Sequence, residues 1–450
     1  MINHYTPLDV AQVLAKHLPR NIISLLDPAV GTGLLLGPVL KRYGKSLKVT
    51  GVDVDLDALH ALKTTLPSDI QIDLIHDDFL EWSKKRLKKK DDRFDCVLMN
   101  PPFSAKKMHS VQLLSEGNGL DKTRSRSVPV EAAFLYRAIQ LLNPRGRLLG
   151  IFPSSLISAI STRWLRELAL ACGSVLYVHE LPPFTFKSVE ARVYLFIFEK
   201  KLQRANILLC NHDLLQPELL RISRSELRTE NRLDFSFHKA RRWHKEIRSA
   251  TPALGWVQLD HVASVLRGPI QSPKGATLAL HTTDYKNGFW YRPRPSKILT
   301  DQSVGIKRGD ILVKRVGRNC GATFGFPRGH IGDAVSDCLL IIRPYNIRSS
   351  HKILFALRVI LANESGKHLI ERGTGASYIT EEDLNNLIIP LSLANRKPQA
   401  FKKYKKAIKN RAYNKMVRLE TLIKVSALAV KHRQEVAQET SLRDFSGTSA

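Results

Sequence analysis

The chain has 450 residues, which is long enough for roughly two to four domains with a large buried core. Hydrophobic residues make up 43% of it and charged residues 25%, so the composition excludes a chain that is disordered throughout. Lys and Arg number 70 against 41 Asp and Glu, a formal net charge of +29, which indicates a polyanionic partner and favours nucleic acid over a membrane surface.

The first two hundred residues alternate short apolar runs with helix-like stretches. The predicted strands are Ile22–Leu26, Leu47–Val52, Ile70–Ile75, Phe94–Met99, Arg147–Phe152 and Val193–Phe198. Amphipathic segments such as Asp55–Leu66 and Val130–Leu142 lie between them. Because strands that alternate with helices are typical of βαβ units, residues 1–200 are predicted to form a doubly wound α/β domain with a mostly parallel sheet.

The rest of the chain changes character twice. Residues 201–256 are highly charged, and we interpret them as a connecting region with some helix. Residues 257–392 show short β-like runs broken by Gly and Pro, which predicts a second, β-rich domain. Between Arg396 and Arg433 there are 13 Lys and Arg and one acid, with apolar or small residues at steps of three and four. This pattern predicts a long basic amphipathic helix over residues 393–438, followed by a tail at 439–450.

The cysteines and the N-terminus bear on the compartment. Five cysteines are scattered through the chain without a CxxC pair or a metal-ligand spacing, which argues against a zinc module and a disulfide framework. The first residues show no signal pattern, and the chain has no apolar run of the length that spans a membrane. We therefore expect a soluble cytoplasmic protein without a bound metal.

A glycine-containing turn follows the first predicted strand. It reads Asp27-Pro-Ala-Val-Gly-Thr-Gly33 and leads into a helix. Glycines let the backbone approach a ligand, and the helix start offers free N–H groups; taken alone, a tight structural turn is an equally good interpretation. Acids end the next two predicted strands, at Asp53 and at Asp77-Asp78. A carboxylate at the second strand end typically accepts hydrogen bonds from ribose hydroxyls.

The fourth predicted strand runs directly into Asn100-Pro-Pro-Phe103. The two prolines restrict the backbone and remove donors, so the Asn100 side chain and nearby carbonyls are held in one geometry. The Asn100 amide oxygen and the Pro101 carbonyl can together accept both hydrogens of an exocyclic amine, while Phe103 stacks on the base. A simple proline turn is the alternative interpretation.

Together these motifs, from Tyr5-Thr-Pro7 to Asn100-Pro-Pro-Phe103, resemble the gamma-class adenine-N6 DNA methyltransferases of restriction–modification systems. The resemblance covers about the first 200 residues. It implies a Rossmann-like domain that transfers a methyl group from S-adenosylmethionine to N6 of a flipped-out adenine in double-stranded DNA. RNA adenine and protein glutamine methyltransferases also carry an Asn-Pro-Pro-aromatic motif.

The resemblance also implies a role for each matching position. The expected cofactor-binding residues are Thr6, Pro7, Asp27, Pro28, Ala29, Gly31, Gly33, Asp53, Asp78, Phe79 and Asn100. Among them, Thr6 and Pro7 would lie near the methionine carboxylate, Asp53 on the ribose and Asp78 on the adenine amine. The expected catalytic residues are Asn100, Pro101 and Phe103, and Phe184 is the expected second aromatic against the flipped base, with Phe186 as its rival.

The β-rich part carries a second resemblance. Its segments Leu259–Gly268, Arg308–Gly317, Gly373–Thr380 and Asp383–Pro390 look like the target recognition domains of type I specificity subunits, which a long helix follows. This implies a DNA target recognition domain at 257–392. The candidates for DNA contact are Lys106, Lys107, Arg124, Arg126, Lys286, Arg292, Arg294, Arg315 and Arg318. For each one, a solvated surface charge is the alternative, and we expect the loop Ser104–Val128 to be mobile without DNA.

Partners and function leave several hypotheses open. The predicted terminal helix either pairs two copies in a homodimer or packs within its own chain. Because the motifs begin at Tyr5, we expect no nuclease before them, although a separate restriction endonuclease could act as a partner. An RNA adenine-N6 methyltransferase and a DNA-binding protein without catalysis are the remaining alternatives.

Overall fold

The computed structural model describes residues 6–88, 93–103, 108–113, 124–182, 185–186, 192–213, 216–268, 279–286, 289–290, 305–317, 319–321, 323–327, 331–361, 364–373 and 377–422. The chain divides into two compact units, Met1–His238 with Gly373–Gly375 and Lys239–Arg372 with Ala376–Ala450. Within the described ranges, no helix combines the length and the apolar character needed to cross a membrane.

The first unit contains most of the strands. They are β1 (Ser24–Asp27), β2 (Lys48–Asp53), β3 (Ile72–His76), β4 (Phe94–Met99), β5 (Met108–Leu113), β6 (Arg124–Pro129), β7 (Leu142–Pro153), β8 (Gly173–Glu180), β9 (Val193–Lys200), β10 (Asn206–Cys210) and β11 (Leu219–Ser223). The helices are α1 (Leu8–Ala15), α2 (Leu36–Tyr43), α3 (Leu56–Thr65), α4 (Phe79–Leu87), α5 (Val130–Leu141), α6 (Ser154–Ser158), α7 (Arg163–Cys172), α8 (Arg224–Glu230) and α9 (Phe235–Ala250), which contains the boundary between the units.

Nine of these strands form one mixed sheet in the order β11-β10-β8-β9-β7-β4-β1-β2-β3. Strand β1 lies parallel to both β2 and β4, and these continue in parallel to β3 and β7. Strand β9 runs antiparallel to its neighbours β7 and β8. From β1 the chain continues outward through β2 to β3, and it then passes to the other side of β1 and continues outward through β4 to β7. The ends of the strands on either side of this reversal form the crevice in which ligands bind in such sheets. The predicted α/β methyltransferase-type fold is confirmed.

The central strands are buried on both faces because their side chains alternate between two cores. Leu25 and Leu26 of β1 are both fully buried, but they belong to different hydrophobic clusters. The same alternation places Val97 of β4 in the cluster that contains α4 and α5, and Cys96 in the cluster that contains α1, α2 and α3. A near-continuous apolar strand of this kind is typical of a parallel sheet covered by helices on both sides.

The first unit has more strands than the sequence predicts. Strand β8 is missing from the prediction because its apolar run is only four residues long, Val175–Val178, and the positions on either side of it are the polar Ser174 and His179, each buried at 1% exposed. The predicted connection 201–256 contains β10, β11, α8 and α9. Part of the predicted loop Ser104–Val128 consists of β5 and β6, which pair antiparallel in a separate two-stranded ribbon.

The second unit is built around a buried helix. Its strands are β12 (Trp256–Gln258), β13 (Ala263–Arg267), β14 (Tyr285–Lys286), β15 (Phe289–Trp290), β16 (Ile311–Lys314), β17 (Phe324–Gly325), β18 (Leu339–Pro344) and β19 (Ile388–Pro390), and its further helices are α10 (Ser350–Leu361), α11 (Glu364–Lys367), α12 (Glu381–Asn385), α13 (Leu393–Arg396), α14 (Pro398–Lys409) and α15 (Tyr413–Leu422). Strands β13, β18, β16 and β17 form a four-stranded antiparallel sheet in that order. Apolar residues of this sheet share one core with α10, α14 and α15.

The single long helix predicted from residue 393 is wrong over the described residues 393–422, which form α13, α14 and α15. Pro398 occupies the first turn of α14, where its missing N–H is tolerated, whereas in a helix interior it would remove a hydrogen bond. Arg411, with a φ of 56°, has left-handed backbone between α14 and α15. Ile408 and Met416 belong to the apolar residues at steps of three and four that make up the predicted stripe, and they are 4% and 1% exposed. The described part of the stripe therefore packs within its own chain.

Candidate active site

The turn after β1 is shaped by its two glycines. Gly31 and Gly33 have φ angles of 49° and 78°, in the region that favours glycine. A Cβ on Gly33 would lie 2.4 Å from a methyl carbon of Leu62 in α3, whereas a Cβ on Gly31 would meet nothing within 4 Å. Gly33 therefore allows close helix packing, and Gly31 borders open space that a ligand could fill.

Asp53, the last residue of β2, holds this turn in place. One of its carboxylate oxygens accepts a hydrogen bond from the Gly31 N–H at 2.7 Å, and the other accepts one from the Asp55 N–H at 2.9 Å. Each oxygen has a further lone pair for another donor. Asp53 is thus a fixed, half-buried carboxylate that can still accept from the hydroxyls of a ligand.

Asp27, the last residue of β1, is almost completely buried. Burial, and to a smaller extent the charge of the neighbouring Asp53, raises the pKa of Asp27 to about 8, although a hydrogen bond from the Ala29 N–H acts in the opposite direction. Its Oδ2 atom has no hydrogen-bond partner among the described residues. A group that brings a positive charge or a donor to this oxygen would stabilise the ionised carboxylate.

Asp78 and Phe79 follow β3 and begin α4. Asp78 caps the helix, because its Oδ1 accepts from the N–H groups of Leu80 and Glu81 at 2.7 and 3.2 Å. Phe79 is 2% exposed and its ring centroid lies 4.8 Å from that of Phe134. The structure therefore places Asp78 at the carboxyl edge of the sheet and the Phe79 ring in the core.

Asn100 follows β4 and has a partner that the sequence does not reveal. Its Nδ2 donates a hydrogen bond of 3.0 Å to Oγ1 of Thr6, which is 7% exposed and precedes α1. This contact fixes which way the amide faces and leaves the Oδ1 atom of Asn100 to accept from a substrate amine. The sequence assigns Thr6 to the cofactor and Asn100 to both the cofactor and the target base, but it does not predict the hydrogen bond between the two side chains.

The prolines and the aromatic residue of the same motif differ in exposure. Pro101 is buried, Pro102 is exposed and Phe103 is half-buried against the core that contains α1. Phe186, the rival to Phe184 as second aromatic, is 4% exposed within the same core. Six predicted contact residues lie outside the described residues: Lys106, Lys107, Phe184, Arg292, Arg294 and Arg318.

The DNA-contact candidates within the described ranges have different surroundings. Arg126 of β6 is exposed, and its guanidinium carbon lies 5.3 Å from the ring centroid of Trp164. Of Arg124 only the backbone, in β6, is described. Lys286 of β14 is exposed. Arg315 is tied to Asp337 by a hydrogen bond to its carbonyl and by an ion pair of 3.5 Å, which indicates a structural role in the β-rich unit.

Comparison with known proteins decides the family. A model of the N-6 DNA methylase family matches residues 3–243, more than half of the chain. The chain belongs to this family. The matched range contains every strand-end residue described above, and membership of the family implies the use of S-adenosylmethionine. Among the described residues, no group of three or more His, Cys, Asp or Glu is placed to hold a metal ion.

Individual relatives match different shares of the chain. The type II methyltransferase M.VspI of Vibrio sp. (strain 343) is 26% identical over 190 residues, which cover 40% of this chain and 44% of that protein. A tRNA1(Val) (adenine(37)-N6)-methyltransferase of Porphyromonas gingivalis (strain ATCC BAA-308 / W83) is 30% identical over 134 residues, 28% of this chain and 49% of that protein. The chain thus spans about half the length of these curated relatives. The crystal structure of the type IIG restriction endonuclease BpuSI is 14% identical, with a TM-score of 0.45 over 94% of this chain and 66% of that one.

Proposed function

We propose that the protein is a site-specific DNA methyltransferase that transfers a methyl group from S-adenosylmethionine to N6 of a flipped-out adenine in double-stranded DNA. We place it in a restriction–modification or related defence system, where a separate restriction endonuclease could be its partner. The observation that carries the proposal is the position of Asn100: it follows β4, whose neighbour β1 leads into the glycine turn, and its amide is anchored by Thr6.

The residues at the ends of β1 and β2 fit the proposed cofactor. S-adenosylmethionine, when bound, supplies a methyl group on a positively charged sulfur. Asp53 would accept from the ribose hydroxyls, and the open space at Gly31 lets the ligand approach the backbone. The unpartnered Oδ2 of Asp27 suits a cationic ligand, because a nearby positive charge favours the ionised carboxylate.

The residues after β4 fit a neutral nucleobase amine. Asn100 would accept one amine hydrogen through Oδ1, the Pro101 carbonyl would accept the other, and Phe103 would stack on the base. Orientation of this kind contributes about 7–11 kcal/mol to lowering a barrier, against a few kcal/mol for flipping the base. In the transfer, the bond from the methyl carbon to sulfur breaks as the bond to N6 forms, and the amine then releases one proton to solvent.

No cysteine is needed as a nucleophile in such a transfer. Cys96 is the cysteine nearest in sequence to Asn100, and it is fully buried within β4. Burial raises the pKa of the Cys96 thiol far above its usual range, so that it stays neutral and unreactive. This agrees with direct transfer to the amine.

We further propose that residues 257–392 form the domain that recognises the DNA target. The exposed Lys286 of β14 supports this, since Lys suits guanine edges and phosphates. Arg126 on the ribbon β5–β6, which follows the catalytic motif in the chain, is a second candidate for a contact with the DNA backbone. Pairing of two copies through the predicted stripe finds no support in its described part, because Ile408 and Met416 are already buried.

The proposal is tested by expressing the protein in a host that lacks adenine methylation and sequencing its genome with a modification-sensitive method. N6-methyladenine within one motif, absent when Asn100→Ala is expressed, is the expected result. The similarity to a tRNA adenine-N6 methyltransferase makes RNA the second candidate substrate. An unmarked genome together with Asn100-dependent N6-methyladenine in RNA would replace the DNA proposal.

A further inference from the structure

The helices α14 and α15 carry a one-sided layer of positive charge. From Arg396 to Leu419 there are ten Lys and Arg and no Asp or Glu. We define the lysine face as the exposed residues Lys402, Lys403, Lys405, Lys406, Lys409 and Lys415. Lys402, Lys406 and Lys409 stand at i, i+4 and i+7 and therefore form a single stripe along α14.

Packing of the opposite side fixes the direction in which the lysines point. Tyr404, Ala407 and Ile408 of α14 are 0%, 2% and 4% exposed. The ring of Tyr404 lies 4.8 Å from that of Phe355 in the buried helix α10, measured between centroids. Since the apolar side of α14 belongs to the core of the second unit, the helix cannot rotate to hide its charges.

The charges of the lysine face are not compensated by acids among the described residues. None of its six lysines forms an ion pair there, and the Nζ atom of Lys405 lies 5.2 Å from the ring centroid of Phe401. The basic end of α4 differs, because Lys84 pairs with Glu81 at 2.6 Å and Lys85 with Asp77 at 3.3 Å. Like charges at i, i+3 and i, i+4 repel one another, so the lysine face is destabilising until an anion neutralises it.

We propose that the lysine face binds phosphates of double-stranded DNA and adds affinity without reading sequence; this rests on the proposed function. From Lys402 to Lys409 the helix rises roughly 10 Å, a length over which one DNA strand presents about three phosphates. An anionic membrane fits less well. Surface-bound amphipathic helices insert an apolar side into the bilayer, and in α14 that side is already buried against α10.

The test compares two triple variants of the full-length protein with equal charge changes. In the first, Lys402, Lys406 and Lys409 are replaced by Gln; in the control, Lys84, Lys85 and Lys88 are replaced by Gln. Gln is a good helix former, so both variants should fold, and circular dichroism checks this. Binding of a fluorescent duplex without the target motif is measured by anisotropy over a series of salt concentrations.

For the lysine-face variant, we expect the slope of log affinity against log salt to fall by about 0.9 for each phosphate that the variant no longer neutralises, and the affinity to fall about tenfold or more at moderate salt. The methylated motif should not change, and the control variant should keep the wild-type slope. A variant in which Arg replaces the three lysines of the lysine face should also have the wild-type slope.

An unchanged slope in a Gln variant that folds and still methylates overturns the inference and leaves the proposed function standing. Binding to vesicles that contain phosphatidylserine is measured for the same variants. If the lysine-face variant binds these vesicles more weakly but binds the duplex as well as wild type does, the inference is also overturned. A wild-type protein that neither binds nor methylates any duplex contradicts the proposed function itself.

Discussion

The hydrogen bond between Thr6 and Asn100 leads to a sharp prediction for Thr6→Val. Valine nearly preserves the shape of threonine but removes the Oγ1 acceptor that lies 3.0 Å from the Asn100 Nδ2. Thr6 is 7% exposed and Asn100 is half-buried, so the loss of this acceptor for the Asn100 Nδ2 donor costs about 1–3 kcal/mol. The freed amide can also rotate and present its NH₂ group, instead of its oxygen, to the substrate amine. We therefore expect a loss of roughly 5- to 150-fold in the rate of methyl transfer.

The assay is single-turnover transfer from labelled S-adenosylmethionine to a duplex that carries the motif, with cofactor affinity measured separately by calorimetry. Thr6→Ser keeps the acceptor and should retain most of the wild-type rate. A Thr6→Val variant with a normal transfer rate and weakened cofactor binding would refute the positioning role. That result would instead support the cofactor-carboxylate role that the family resemblance implies for Thr6.

Three further predictions test the strand ends. Asn100→Ala should abolish transfer with near-normal cofactor affinity, whereas Asp53→Ala should first weaken cofactor binding; calorimetry and transfer rates on both variants separate the two roles. The folded state keeps Asp27 protonated up to a pKa of about 8, against the ordinary 3.8, so its stability without cofactor should fall as pH rises between these values. Asp27→Asn should lose that dependence, so that its advantage in melting temperature over wild type grows up to about pH 8. Plots of melting temperature against pH that run parallel for the two proteins would contradict the assignment. Gly33→Ala should lower the melting temperature more than Gly31→Ala, because only the Gly33 methyl group would overlap Leu62; equal losses would show that backbone strain alone matters.

How far sequence predicts this fold depends on how each element is stabilised. Strand β4 is predicted to the residue because its apolar run ends at Asn100 and two prolines. Strand β8 is missed because its apolar run is only the four residues Val175–Val178, flanked by the buried polar residues Ser174 and His179. The predicted long helix fails because Pro398 must begin a helix and Arg411 has left-handed backbone, while the helical periodicity of the sequence continues across both positions.

The candidate site is predictable to a similar extent. Its members end neighbouring parallel strands, so the position of each motif after a strand is enough to bring Asp27, Asp53 and Asn100 to one edge of the sheet. The Thr6–Asn100 hydrogen bond joins residues 94 positions apart, and the choice of partner depends on how α1 packs. The periodicity and spacing of the sequence do not indicate this partner. They also do not indicate that the Phe79 ring lies in the core, because that position too depends on how the helices pack.

The order of side chains along this edge suggests how one site can hold both proposed ligands. From β3 through β2 to β1 the strand ends carry carboxylates, at Asp78, Asp53 and Asp27, and the next two strands, β4 and β7, are followed by the uncharged Asn100 and Ser154. Asp53 and Asp78 favour a cationic cofactor and repel DNA phosphates from its binding place, and Asp27 adds its charge once a nearby positive charge favours its ionised form. A flipped adenine is neutral and avoids this repulsion, and the Asn100 amide offers it an acceptor without adding another negative charge. The change from acidic to uncharged residues coincides with the reversal of strand order at β1 and β4, which is where the methyl donor and the amine would have to meet.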